Sequence, residues 1–297
     1  MPSDTDKLIE IARYATQAIG AAAIGLIAIN QLRKLLPSRH LWGRGYSSSP
    51  LHATHNAHLF HLQILYAITS SSIPWTGKSL GGFALLGFSL GGGIAMSFTA
   101  AFPELIDSMI LLGPAGILRI LPGDYLAPIF KYHAFAPAWY VRRRAGLTLG
   151  VNVNGTAQES DLKGEMGVDV PSTKEETSVG KLDFPAMAQW QFDNHHGCVH
   201  SWLDTLNNAP VMHQHAEWEK VIARLGASES GISKLLVIFG EDDQVVNRSE
   251  VGVEMAEMFT RQGKREKLDI RTVPGDHGFP VTQADAVVEH IADFWQM

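Results

Sequence analysis

Cysteine is all but absent: Cys198 stands alone among 297 residues. An intramolecular disulfide and a thiolate zinc cluster are thereby excluded, and nothing implies an oxidising destination. A surplus of positive charge is also lacking. The 24 basic side chains face 30 acidic ones, a formal charge of −6. No strongly basic surface is there to neutralise phosphates, so nucleic acid is not an expected partner. Charged residues make up only 18 % against 45 % apolar ones, which excludes disorder as the dominant state. A secretory start is missing too, since Met1 to Asp6 carry two acids and no base. The length suits two domains of about 150 residues, or one large α/β unit with an insertion.

The first 39 residues read as one atypical helical segment. Ser3 and Asp6 form a capping pair, and the helix is expected to run to Leu36, where Pro37 stops it. No charge falls between Arg13 and Arg33, and Ala, Gly and Ile crowd Ala18 to Ile29. A helix from Tyr14 to Leu32 would span roughly 28 Å, close to a bilayer's hydrocarbon core. Two readings stand: a membrane anchor, and a buried or interfacial helix. Thr16, Gln17, Asn30 and Gln31, with a strongly apolar part of only about 12 residues, favour the second. In an anchored form Arg33, Lys34 and Arg39 would keep the rest of the chain cytoplasmic. The expected location is cytoplasmic or membrane-associated, not secreted.

Strand and helix signals then alternate. Gly82 to Phe88, Ser108 to Leu112, Lys234 to Phe239 and Leu268 to Val273 are short apolar runs bounded by Gly or Pro, as buried strands are. Helical patterns cover Gly91 to Phe102, Glu250 to Arg261 and Gln283 to Trp295. This alternation predicts an α/β fold on a mostly parallel sheet. Between Gly116 and Gly231 the pattern breaks. Asn152 to Lys181 is polar and loop-like, and Phe184 to Leu225 reads as helices, so a mostly helical insertion is expected.

Gly87-Phe88-Ser89-Leu90-Gly91 follows the first strand directly and opens a helix. A serine there is forced into a tight turn, and glycines two residues to either side let the chain pass itself. The helix's first N–H groups, starting with that of Leu90, favour a developing oxyanion. A serine hydroxyl needs a base, and the base a carboxylate. Candidates sit where the later strands should end: Glu241, Asp242 and Asp243 after the third, Asp276 and His277 after the fourth.

These segments resemble the α/β-hydrolase family, of the AB hydrolase-1 type, over roughly His40 to Met297. LWGRGYS at Leu41 to Ser47, GFSLGG at Gly87 to Gly92, GEDDQVV at Gly240 to Val246 and GDHGFP at Gly275 to Pro280 carry the likeness. The resemblance implies Ser89 as nucleophile, His277 as base, Asp243 as its acid with Asp242 as second choice, and Leu90 as one oxyanion donor. It implies a core over 40–116 and 232–297 and a helical cap over 117–231, with no metal or cofactor. The expected activity is that of a serine hydrolase on a carboxylic ester or related acyl bond. The expected partner is a mostly apolar small acyl substrate. Acyl transfer and thioester, C–C or peptide cleavage remain open on the same fold. Two departures matter. His40 stands where the family usually has Asp. Only about 40 residues precede the LWGRGYS segment, without the His-Gly turn that supplies the second oxyanion donor. The alternative is therefore a catalytically impaired binding or membrane-associated protein with an incomplete oxyanion hole.

Three further groups have plainer readings. His52, His55, His58 and His61 recur every three residues; they fan around a helix and read as a polar face rather than a metal set. His195, His196, His200, Trp190 and Trp202 read as packing and surface of the insertion ahead of a substrate pocket. Arg142, Arg143 and Arg144 read as a solvated face ahead of a phosphate or lipid site.

Overall fold

A computed structural model describes residues 53–70, 82–119, 135–148, 151, 184–195, 197–227 and 231–296. The N-terminal helix, the LWGRGYS segment, His52, His196 and the Asn152 to Lys181 stretch lie outside the described residues.

Helix α1 (Ala57–Thr69) starts at Asn56, whose side chain accepts from the Leu59 N–H at 3.1 Å, a cap of the usual kind. Strand β1 (Phe83–Phe88) runs straight into α2 (Leu90–Ala101), and β2 (Ile106–Leu112) follows. Then come α3 (Ala138–Thr148), α4 (Phe184–Asn194), α5 (Cys198–Asn208) and α6 (His215–Arg224). The chain closes with β3 (Leu235–Gly240), α7 (Val253–Arg261), β4 (Leu268–Val273), α8 (Phe279–Thr282) and α9 (Ala284–Phe294). The strands form one sheet in the order β1-β2-β3-β4, every neighbouring pair parallel. Strand β3 is buried along its whole length, as a central parallel strand is when both faces are covered. The α/β class read from the alternation is the observed one.

The described residues of Asn56–Ile120 and Ala209–Met297 make one compact unit, which holds the sheet. Those of Leu121–Asn208, together with residues 53–55, make another. Residues 117–119 and α6 fall in the unit that holds the sheet. Helix α6 packs on α2, and its fully buried Trp218 stands against Gly116. The sequence could not show this, because α6 carries the same helical pattern as α4 and α5. Arg119 and His215 both reach a Glu254 carboxylate oxygen at 2.8 Å, which ties this segment to α7. The Arg119 hydrogen bond, above all, holds that carboxyl below its ordinary range.

In the second unit Val141, Ala145, Phe192, Val199, Trp202 and Leu203 form a core. His55 is buried there, with its N–H and its Nδ1 at 2.5 and 2.9 Å from one Asp204 oxygen. The described histidines of that series, His55, His58 and His61, do not share a polar face, contrary to the reading above. His55 precedes α1, and His58 is exposed. The His61 ring stands edge-on to Phe98 and Phe102, with Nε2 3.0 Å from Ser97 Oγ. Among the described residues no group of His, Cys, Asp and Glu could hold a metal ion, and no helix is long and apolar enough to cross a membrane.

Burial first, and the neighbouring His58 second, push the His61 pKa down to about 4 from 6.5. Between those values the unfolded chain binds a proton that the folded chain does not, so His61 makes stability rise with pH across that window. It costs stability as the solution is acidified from 6.5 towards 4. His61→Gln should therefore shrink the difference in urea midpoint between pH 7 and about pH 5; an undiminished difference would refute this assignment.

Candidate active site

Ser89 occupies the single residue between β1 and α2, with φ +52° and ψ −122°. A side chain at positive φ costs about 1–3 kcal/mol and persists only when its surroundings over-determine it. Here they do. The Ser89 N–H donates to the Leu112 carbonyl at 3.0 Å. Its own carbonyl accepts from Gly92 N–H at 2.8 Å and Ala115 N–H at 2.9 Å. Burying one large apolar side chain contributes about 1.5–3 kcal/mol, so Phe98 and Met96 of α2, both fully buried, are enough to offset the strain.

The glycines do not act as the motif alone suggests. A Cβ on Gly87 would fall 2.4 Å from the Gly91 carbonyl oxygen, so that position has to be bare. At Gly91 an added Cβ meets nothing within 4 Å, whereas at Gly92 it would lie 2.4 Å from Pro114 Cβ. Close approach on the helix side is thus at Gly92, where α2 passes the turn after β2, and at Gly93, where an added Cβ would fall 1.9 Å from the Pro210 carbonyl oxygen, and not at Gly91.

The acid comes from the turn after β3. Asp243 is buried, and its Oδ1 accepts from the Val245 and Val246 N–H groups at 2.9 and 2.8 Å. Its Oδ2 lies 2.8 Å from His277 Nδ1. Asp242 is exposed, so of the two aspartates it is Asp243 that faces the imidazole. His277, after β4, is buried, and its Nε2 lies 2.9 Å from Ser89 Oγ. A carboxylate cannot donate, so Nδ1 carries the proton toward Asp243, and Nε2 is left to accept from the serine hydroxyl. Ser89, His277 and Asp243 form one hydrogen-bonded row. Leu90 is the first residue of α2, where backbone N–H groups have no partner within the helix.

Some neighbours escaped the sequence reading. The Phe88 ring lies over His277 with centroids 4.9 Å apart, and Phe279 meets Phe88 edge-on. Gly113, at φ +44°, brings its backbone so near the row that an added Cβ would sit 3.1 Å from Asp243 Oδ2. The only signal for it was a glycine directly after an apolar run. Of the aromatic and histidine group in the other unit, Trp202 is in the core while Trp190 and His200 are exposed.

A family model described as alpha/beta hydrolase fold matches residues 40–281. The chain belongs to the alpha/beta hydrolase fold family. Among solved structures it is similar to a carboxylesterase of the Thaumarchaeon Nitrososphaera gargenis, at TM-score 0.54 and 15 % identity over 86 % of this chain and 78 % of that one. It is similar to the meta-cleavage product hydrolase CumD of Pseudomonas fluorescens IP01, at TM-score 0.51 and 15 % identity over the same shares. A third is the 2-hydroxy-6-oxo-6-phenylhexa-2,4-dienoate hydrolase of Rhodococcus sp. strain RHA1, at TM-score 0.52 and 14 % identity over 87 % and 78 %. Nothing among curated proteins matches the chain. The family model shows the family, and these structures share its fold.

The glycine geometry is directly testable. Gly91→Ala should stabilise the protein by up to about 0.5–1 kcal/mol, as alanine does within a helix. Gly92→Ala should destabilise it by about 1–3 kcal/mol through overpacking against Pro114. Denaturant unfolding of both variants distinguishes this from equal roles for the two glycines.

Proposed function

We propose that the protein is a serine hydrolase that cleaves a carboxylic ester, or a related acyl bond, of a mostly apolar small molecule. One observation carries the reading: the His277 imidazole stands between Ser89 Oγ and Asp243 Oδ2, within hydrogen-bond reach of both. In this scheme Ser89 Oγ attacks the carbonyl carbon while His277 Nε2 takes its proton. Asp243 fixes the tautomer and stabilises the imidazolium. The Leu90 N–H, at the positive end of α2, faces the oxyanion. Collapse of the tetrahedral intermediate breaks the bond to the leaving group, which receives the proton from His277. Water, deprotonated by the same imidazole, then releases the acid and restores Ser89. The scheme needs no metal or cofactor.

A fluorophosphonate probe should label wild-type protein at Ser89, and Ser89→Ala should abolish both labelling and p-nitrophenyl ester turnover. Asp243→Asn should keep the fold and lower kcat by roughly 10⁴, as loss of the orienting carboxylate does in such rows. Folded protein that neither labels nor turns over ester would instead favour an impaired, non-catalytic member of the fold.

A further inference from the structure

Two hydrogen bonds hold the His277 imidazole within its own plane. Its Nδ1 lies 2.8 Å from Asp243 Oδ2 and its Nε2 lies 2.9 Å from Ser89 Oγ. Bonds at ring nitrogens run in the plane of the ring, so the pair resists sliding within that plane and resists tilting out of it only weakly. The torsion that turns an imidazole about its Cβ–Cγ bond is itself broad. Half a turn about it would put ring carbons where the two nitrogens stand, and neither hydrogen bond would survive.

Phe88 closes that remaining direction. Its ring lies over the imidazole with centroids 4.9 Å apart and planes inclined at 34°, within the range of offset aromatic pairs. Phe88 is the last residue of β1, paired with Leu112 of β2, so this ring projects from the sheet and not from a loop. It is braced in turn. Phe279, fully buried, meets Phe88 edge-on with centroids 6.3 Å apart. The Phe279 ring is wedged against two glycines: an added Cβ would fall 3.1 Å from its Cδ1 at Gly240 and 3.4 Å from its Cε1 at Gly113. The end of β3 and the turn after β2 thus confine Phe279, Phe279 confines Phe88, and Phe88 confines the imidazole.

We propose that Phe88, braced by Phe279, is a positioning residue that keeps the His277 ring in the one orientation reaching Ser89 and Asp243 together. The effect on rate rests on the serine-hydrolase reading; the effect on the ring rests on the geometry alone. Without the Phe88 face both hydrogen-bond partners stay in place, but the imidazole is free to tilt. A misplacement of about 1 Å costs about 100-fold in rate, and here the loss falls on the chemical step and not on substrate binding.

Phe88→Leu, which removes the flat face and keeps an apolar side chain, tests this. Its kcat on a p-nitrophenyl ester, counted per fluorophosphonate-titrated site, should fall about 10–100-fold with KM little changed. Phe88→Tyr, which keeps the ring, should retain the wild-type rate. Phe279→Leu withdraws the brace and leaves Phe88 in place; its kcat should fall by a smaller factor, which keeps the proposal testable where Phe88→Leu does not fold. A proton spectrum supplies a readout that needs no turnover. The downfield resonance of the Nδ1 proton between His277 and Asp243 should stand in wild type and Phe88→Tyr, and broaden or vanish in Phe88→Leu. A merely structural phenylalanine would lower the melting temperature while kcat per site and the resonance stayed as in wild type, and that result would overturn the proposal. So would equal losses of kcat in Phe88→Leu and Phe88→Tyr. Wild-type protein that neither labels nor turns over ester would defeat the hydrolase reading instead, and the resonance would then decide the ring's restraint by itself.

Discussion

The backbone of Ser89 is the constraint on which the rest depends. A non-glycine residue at φ +52° is held only because carbonyls and amides from β2, α2 and the turn after β2 all close on it. That closure ties the position of Ser89 to the pairing of β1 with β2. The Gly113 N–H, bonded to the Ile238 carbonyl at 2.8 Å, extends the tie to β3. Ser89, Asp243 and His277 follow three different strands, and parallel register brings their turns to one edge of the sheet. The local strain and the long-range pairing are one arrangement: neither the turn nor the row would survive alone.

The same logic explains why so much of the site is backbone. Asp243 is oriented by two amides of its own turn, and Asp276 braces the His277 turn by accepting from Gly278 N–H at 2.8 Å. Turns so braced present side chains with little freedom left to lose, which is what a preorganised site requires. The aromatic stack of Phe88 on His277 adds a second, apolar restraint on the ring.

Buried polar pairs outside this edge serve other ends. His55 with Asp204 fastens the residues before α1 to α5. His61, neutral against Phe98 and Phe102, behaves as a half-buried packing residue with one polar anchor. Regular spacing in sequence suggested a common role for these histidines. Their surroundings assign them separate ones, since each partner comes from a segment distant in the chain.

What the sequence by itself determined was local: four apolar runs closed by Gly or Pro, helices between them, and the three polar residues following the strands. Those signals are short-range consequences of burial and turn chemistry; they sufficed for the fold class and for Ser89 and His277 as candidates, while the choice of Asp243 over Asp242 came from the family resemblance. Tertiary structure alone decided that Gly92 and Gly93 rather than Gly91 carry the close approaches. It also decided that α6 belongs with the sheet unit, and that Arg142, of the three arginines of α3, stacks over Phe192. Each of these depends on which distant atoms occupy the neighbouring space, and no window of sequence contains that distance.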